Sequence, residues 1–187
     1  KKAGAELILA VHNNDDNVKS FTNSVPATIL SADLRNPHEV EKLISGTLKV
    51  SNQLDIIVNN AALQNVENLS EIDADSWDAV LETNLRSIHL VMRAALPALE
   101  KSENASVVNV VSIEGHQPAR GHSHYSTSKA GLLMLTKSAA LFSKNSSLNL
   151  PKFLVVPSSN TSIISSPNAK PFSFGISLKP LSNLVFS

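Results

Sequence analysis

The chain predicts an α/β fold built on a doubly wound parallel sheet. Strand-like and helix-like stretches alternate from Glu6 to Val156, the order that parallel βαβ units produce. The strand-like stretches are nearly unbroken apolar runs, as burial on both faces requires. The helical stretches carry capping residues and an apolar stripe at helical spacing.

Glu6–Val11 reads as the first strand, after Gly4-Ala5. Ala27–Ala32 is the second and ends at Asp33. Asn36-Pro37 marks a helix start, with Asn as cap and Pro at the first helical position, where an N–H would be unpaired anyway. Val40, Leu43, Ile44 and Leu48 supply that helix with its apolar stripe. Leu54–Asn59 is the third strand. Asp75 or Ser76 opens a long helix with apolar positions from Trp77 to Leu96, and Pro97 lies near its end. Ala105–Val111 is the fourth strand, Ser123 to about Phe142 a further helix, and Phe153–Val156 a fifth strand. No internal repeat is visible.

With 187 residues, 42% of them hydrophobic, the chain can bury one sizeable core. No apolar run approaches the ~20 residues that span a bilayer, so no membrane partner is expected and a cytoplasmic setting is. The absence of cysteine excludes disulfides and thiolate metal sites. Net charge is zero but unevenly spread: residues up to Glu114 carry −7 and the remainder +7. The seven later cations are dispersed, without a block or interleaved aromatics, so nucleic acid is not an expected partner. The composition changes at Ser143: the last 45 residues hold 12 Ser and 5 Pro, which favours loops and weakly structured chain.

Chemistry concentrates at Tyr125-Ser126-Thr127-Ser128-Lys129. Residues four apart share a helix face, so the phenol of Tyr125, the chain's one tyrosine, projects beside the Lys129 ammonium. A nearby cation favours the phenolate and makes the pair an acid/base device. Ser112 ends the fourth strand and is placed to hydrogen-bond a substrate oxygen that exchanges a proton with the phenol. His116, His122 and His124 precede Tyr125. They either line a substrate pocket or are solvated loop residues. No set of His and carboxylates has metal spacing, and no Gly-x-Ser-x-Gly elbow supports a hydrolytic triad.

These motifs together resemble the short-chain dehydrogenase/reductase family. Asn59-Asn60-Ala61-Ala62 is similar to that family's Asn-Asn-Ala-Gly run. Asn84, Ser112, Tyr125 and Lys129 fall, in order and at the usual separations, where the family has its catalytic tetrad. The resemblance covers roughly Gly4 to Leu141. It implies a Rossmann-like domain over residues 1–142, followed by a divergent segment, 143–187. It also implies an NAD(P)-dependent oxidoreductase acting on a small alcohol or carbonyl compound. In that reading Tyr125 is the acid/base, Lys129 lowers its pKa and holds the nicotinamide ribose, Ser112 orients the substrate oxygen and Asn84 holds a water that relays protons to Lys129. Asp33 and Leu34 lie near the adenine and Asn60 near the cofactor ribose. Val11 stands where an acid would select NAD, which leans to NADP; Asp15 and Asp16, a little later, would reverse this if the register differs. The resemblance further implies a homo-oligomer formed through the helices around Asp75–Leu96 and Ser123–Phe142.

The sequence departs from the family at its front. Lys1–Ala5 resembles only the end of the family's first helix, and the strand and Gly-rich turn that precede it there are absent, so the chain reads as a fragment. That first strand is central in the doubly wound order. Without it, Glu6–Val11 and Leu54–Asn59 lose their shared neighbour and expose unpaired backbone edges. Either the sheet closes across the gap, the tail fills it, or the chain is unstable; a damaged sheet and poor solubility are expected. The alternative to an enzyme is a non-catalytic remnant with no affinity for the cofactor. In the tail, Phe153–Thr161 is only faintly similar to the family's strand ending in Pro-Gly, with Ser158 where Gly is expected.

Overall fold

Six strands form one sheet in the order β2-β1-β6-β3-β4-β5. The computed structural model describes residues 4–12, 18, 23, 25–145, 151–158 and 174–178. In chain order these contain β1 (Glu6–Val11), β2 (Thr28–Ser31), α1 (Pro37–Ser51), β3 (Ile56–Asn59), α2 (Ala74–Leu81), α3 (Ser87–Leu99), β4 (Ser106–Ser112), α4 (Ser123–Asn145), β5 (Lys152–Ser158) and β6 (Phe174–Leu178). β1 runs parallel to β2, and β3, β4 and β5 are parallel to one another. This is the expected α/β layout with one exception at its centre.

The exception is β6, which comes from the Ser/Pro-rich tail. It lies between β1 and β3 and is antiparallel to both: Ile176 pairs with Ile8 on one side and Ile57 on the other. The expected gap is therefore closed by the tail, and the inner edges of β1 and β3 are paired rather than exposed. The sheet is consequently mixed, not purely parallel. Residues 1–3, 13–17 and 159–173 lie outside the described set, and with them the expectations placed on Lys1–Ala3, Asp15, Asp16 and the Asn160-Thr161 end of the tail motif.

The helices form for local reasons. The Asn36 side chain accepts the His38 N–H at 3.0 Å, and Pro37 follows it as the first helical residue. The next long helix opens earlier than expected. Asp73, not Asp75 or Ser76, is its cap and accepts the Ser76 N–H at 2.8 Å. Ser76 is the bonded donor of the first turn, which is why it looked like a start. Between α2 and α3 the helix widens into a π turn, Glu82–Arg86. Pro97 sits in the last turns of α3.

The core is one face of the sheet against α1 and α3. Ile8, Ile57 and Val107 from the strands meet Val40 and Leu43 from α1 and Val91, Ala95 and Leu99 from α3, all nearly inaccessible. Each such side chain contributes about 1.5–3 kcal/mol through burial. A smaller cluster of Ile88, Val111 and Leu132 fastens α4 beside α3. Gly131 permits this: a Cβ there would lie 2.8 Å from Leu85 Cδ2 in the π turn. Among the described residues no helix is long and apolar enough to cross a membrane.

Candidate functional site

β4 delivers Ser112 to its C-terminal end, and a 3₁₀ turn, Ile113–Gly115, carries the chain away. The Glu114 N–H donates to Ser112 Oγ at 3.2 Å. This leaves the serine's own proton free to point elsewhere. Gly115 lets the turn lie flat on α4, because a Cβ at that position would meet the Lys129 backbone carbon and oxygen at 3.0 Å. The turn, the end of β4 and the first turns of α4 thus form one tight corner.

Tyr125 and Lys129 project into that corner from α4, with 6% and 2% of their surface exposed. The Lys129 Nζ lies 5.7 Å from the centre of the Tyr125 ring and donates to the Val110 carbonyl at 2.9 Å. Ser112 is also here, and its hydroxyl stabilises the phenolate form of Tyr125. Burial acts more strongly in the opposite direction and raises the phenol above its ordinary value, with the negative charge of Glu114 adding to the rise. Burial also pulls the Lys129 ammonium down to about 8. The expected lowering of the phenol by a cation is not what dominates: burial raises it, and the Lys129 ammonium, 5.7 Å from the ring centre, donates to the Val110 carbonyl.

Asn84 lies in the π turn and is fully buried. Its Oδ1 accepts the Leu63 N–H at 2.7 Å, and its Nδ2 donates to the Leu63 carbonyl at 2.8 Å and to Ser128 Oγ at 3.0 Å. Ser128 in turn donates to the Tyr125 carbonyl at 2.7 Å. The amide thus ties the loop after β3 to the helix bearing Tyr125, through Leu63 and Ser128. The widened turn is what aims Asn84 inward, a frequent use of π turns.

Asp33 and Leu34 line a cavity of ≈ 190 Å³, together with Val11, His12, Ala61 and Thr83. Its walls are mostly apolar, which suits a flat heteroaromatic ring. Arg35 grips Asp33 at 2.7 and 3.0 Å and lowers its carboxyl to about 2, chiefly through this hydrogen bond. Asn60 is exposed at the end of β3 and is not among the residues of the cavity wall; its neighbour Ala61 is. Asn59 is buried instead, donating to Asn109 Oδ1 at 2.7 Å, while Asn109 donates to Thr136 Oγ1 at 2.8 Å. This ladder holds β3, β4 and α4 in register.

Between the two ends of the site, the strand order would place a turn and a helix N-terminus against a bound pyrophosphate. There β6 begins, with Phe174 beside Ala10 and Gly175 beside Val58. An antiparallel strand enters at this edge, so the described residues present no helix N-terminus there. Sequence reasoning also passed over Glu114, Arg35 and Leu63. Glu114 lies in a loop without periodicity, and Leu63 acts through its backbone. Arg35 carried a signal: a basic residue two positions after the acid of an Asp-Leu pair.

The sequence model of the short chain dehydrogenase family matches residues 1–150. D-beta-hydroxybutyrate dehydrogenase of Rhizobium meliloti is 30% identical over 146 residues, covering 75% of this chain and 57% of that protein. 3-oxoacyl-[acyl-carrier-protein] reductase of Synechocystis is 30% identical over 120 residues, covering 64% and 49%. A short chain dehydrogenase from Mycobacterium smegmatis aligns with a TM-score of 0.67 at 25% identity, over 72% of this chain and 59% of that one. One from Streptomyces avermitilis aligns with a TM-score of 0.76 at 23% identity, over 87% and 61%, a likeness of fold. The chain thus spans about half to three-fifths of the length of these proteins.

Proposed function

The chain belongs to the short chain dehydrogenase family, and from that premise we propose that it is an NAD(P)-dependent oxidoreductase interconverting a small alcohol and its carbonyl compound. The observation that carries this reading is the buried corner in which Ser112, Tyr125 and Lys129 meet at the C-terminal end of β4. A phenol kept protonated by burial is a proton donor to a carbonyl oxygen, and Ser112 beside it offers the second hydrogen bond that orients that oxygen. In the reverse direction the phenolate accepts the alcohol proton. Lys129 braces the corner through the Val110 carbonyl, and its ammonium gives up its proton near pH 8. Asn84 fixes Leu63 and Ser128 around the acid/base. A bound nicotinamide would supply or take the hydride.

The adenine end fits such a cofactor: an apolar slot walled by Leu34 and Ala61 is closed by the Asp33–Arg35 pair. Asn60, exposed beside Ala61, is assigned to the cofactor ribose by the likeness to the family alone. Val11, His12 and Arg35 favour a 2′-phosphate over a bare hydroxyl, hence NADP over NAD. The phosphate end fits less well, because among the described residues no helix N-terminus lies at the edge where β6 begins. A homo-oligomer through the α2–α3 helix and α4 belongs to the same reading by analogy with the family.

Replacing Tyr125 by Phe tests the assignment. Carbonyl reduction should fall by about 10²–10⁴-fold, while nucleotide binding stays intact. Turnover that survives the substitution would refute the role of Tyr125.

A further inference from the structure

Glu114 is a carboxylate with 8% of its surface exposed, and no step of the reaction above uses it. Burying a carboxylate is unfavourable unless partners hold it. Its partners are specific: Oε2 meets His122 Nδ1 at 2.8 Å and accepts from Ser126 Oγ at 3.2 Å. His122 meets the Tyr125 ring edge-on, with centres 6.0 Å apart and planes at 71°. Carboxylate, imidazole, hydroxyl and phenol therefore form one cluster across the 3₁₀ turn, the following loop and the first turn of α4. The cluster has little room to shift, since Gly115 rests against the Lys129 backbone and the Glu114 N–H is bound to Ser112.

We infer that Glu114, clamped by His122 and Ser126, is a positioning residue for Tyr125: it holds the His122 ring edge-on against the phenol, and its negative charge opposes the phenolate. This rests on the reading of Tyr125 as the acid/base. Lys129 lies on the same helix, over the ring and bound to Val110. Ser112 on β4 is neutral. Gln64, from the loop after β3, is neutral and reaches His122 at 3.4 Å. His124, the preceding helical residue, is buried, and both of its ring nitrogens lack a hydrogen-bond partner. Its burial disfavours the cation. Burial raises the phenol most, and the Glu114 charge acts on it in the same direction. The consequence for catalysis is directional. Alcohol oxidation, which needs the phenolate, is moved to higher pH, and carbonyl reduction is not.

Because Tyr125 is the chain's one tyrosine, tyrosine labelled at the phenol carbon Cζ gives a single resonance that reads this group without any turnover. In the unaltered chain that resonance should report a phenolate midpoint above the ordinary tyrosine value. In Glu114→Gln the phenolate should form at lower pH; in Glu114→Asp, which keeps the charge, the midpoint should stay where it is. A phenolate midpoint at or below the ordinary value in the unaltered chain would overturn the inference, and that measurement needs no variant to fold. An unchanged or higher phenolate midpoint in a folded Glu114→Gln protein would overturn it equally. Neither result bears on whether the chain transfers hydride, which Tyr125→Phe decides separately.

Discussion

The two ends of the site are built in different ways. At the acid/base end, Ser112, Glu114, Tyr125 and Lys129 come from one continuous stretch, β4, its turn and α4. Short-range rules fix their arrangement: a strand end, a tight turn that needs Gly115, and a helix that places residues four apart on one face. At the nucleotide end, the sheet depends on β6, which lies more than 160 residues after β1 and pairs with it in the antiparallel sense. The first arrangement survives any change of topology that leaves its stretch intact. The second does not, because the N–H groups that cradle a phosphate come from the direction in which the central strand runs. The acid/base corner is local, and the phosphate cradle is a property of the whole sheet.

Disrupting β6 breaks the comparison most severely. Ile176→Pro removes a backbone donor from a central strand paired on both sides, at a cost of about 3 kcal/mol. For a chain of this size the thermal midpoint should fall by roughly 5–10 °C. An unchanged midpoint would mean that this strand does not hold the two halves of the sheet together.

At the acid/base end the corresponding effect is a pH dependence. Lys129 releases its proton near pH 8 when folded and near its ordinary value of 10.5 when unfolded. Between those values the unfolded chain binds more protons, so stability rises with pH. The gain is up to about 3 kcal/mol at roughly 1.4 kcal/mol per pH unit. Above pH ~10 the raised phenol of Tyr125 reverses the trend, because the unfolded phenol ionises first. Urea unfolding at about pH 8 and about pH 9.5, the bottom of this range and a point on its rise, should show the increase, and Lys129→Met should abolish it. A flat profile in the unaltered chain would contradict the burial assigned to Lys129.

The smallest effect belongs to the rim of the cavity lined by Asp33 and Arg35. The folded Asp33 carboxyl titrates near 2 against an ordinary 3.8. The stability it adds is therefore present above pH ~4 and lost as pH falls through 2. With Asp33 side-chain exposure at 25% and Arg35 at 42%, solvent screening reduces the contribution to about 1 kcal/mol or less. Arg35→Ala should shrink the acid-side loss of stability by that amount in urea melts compared between pH ~2 and pH ~7. An equal loss in both proteins would remove Arg35 as the partner that matters.

How far the sequence revealed this structure follows the same division. Asn36-Pro37, the apolar runs of β1, β3 and β4, and the spacing from Ser112 to Tyr125 to Lys129 are local signals, and the elements they imply are present. The π turn was not legible, because its residues continue the helical pattern on both sides. β6 was hidden for the opposite reason. Phe174-Gly175-Ile176-Ser177-Leu178 carries a glycine and a serine in a Ser/Pro-rich stretch, and its strand state comes from the slot it fills more than from its own propensity. The Glu114–His122 pair spans eight residues of irregular loop, where no periodicity links the partners.

The central claim is that the chain holds a nicotinamide cofactor against Tyr125. Titration with NADPH and with NADH, followed by nicotinamide fluorescence, tests it most directly. The account predicts saturable binding, tighter for NADPH, at about 10–100 μM, or roughly −5.5 to −7 kcal/mol, because the described residues place no helix N-terminus at the edge where β6 begins. No saturable change with either nucleotide at ~1 mM would contradict it and leave the chain a non-catalytic relative of the enzymes it resembles.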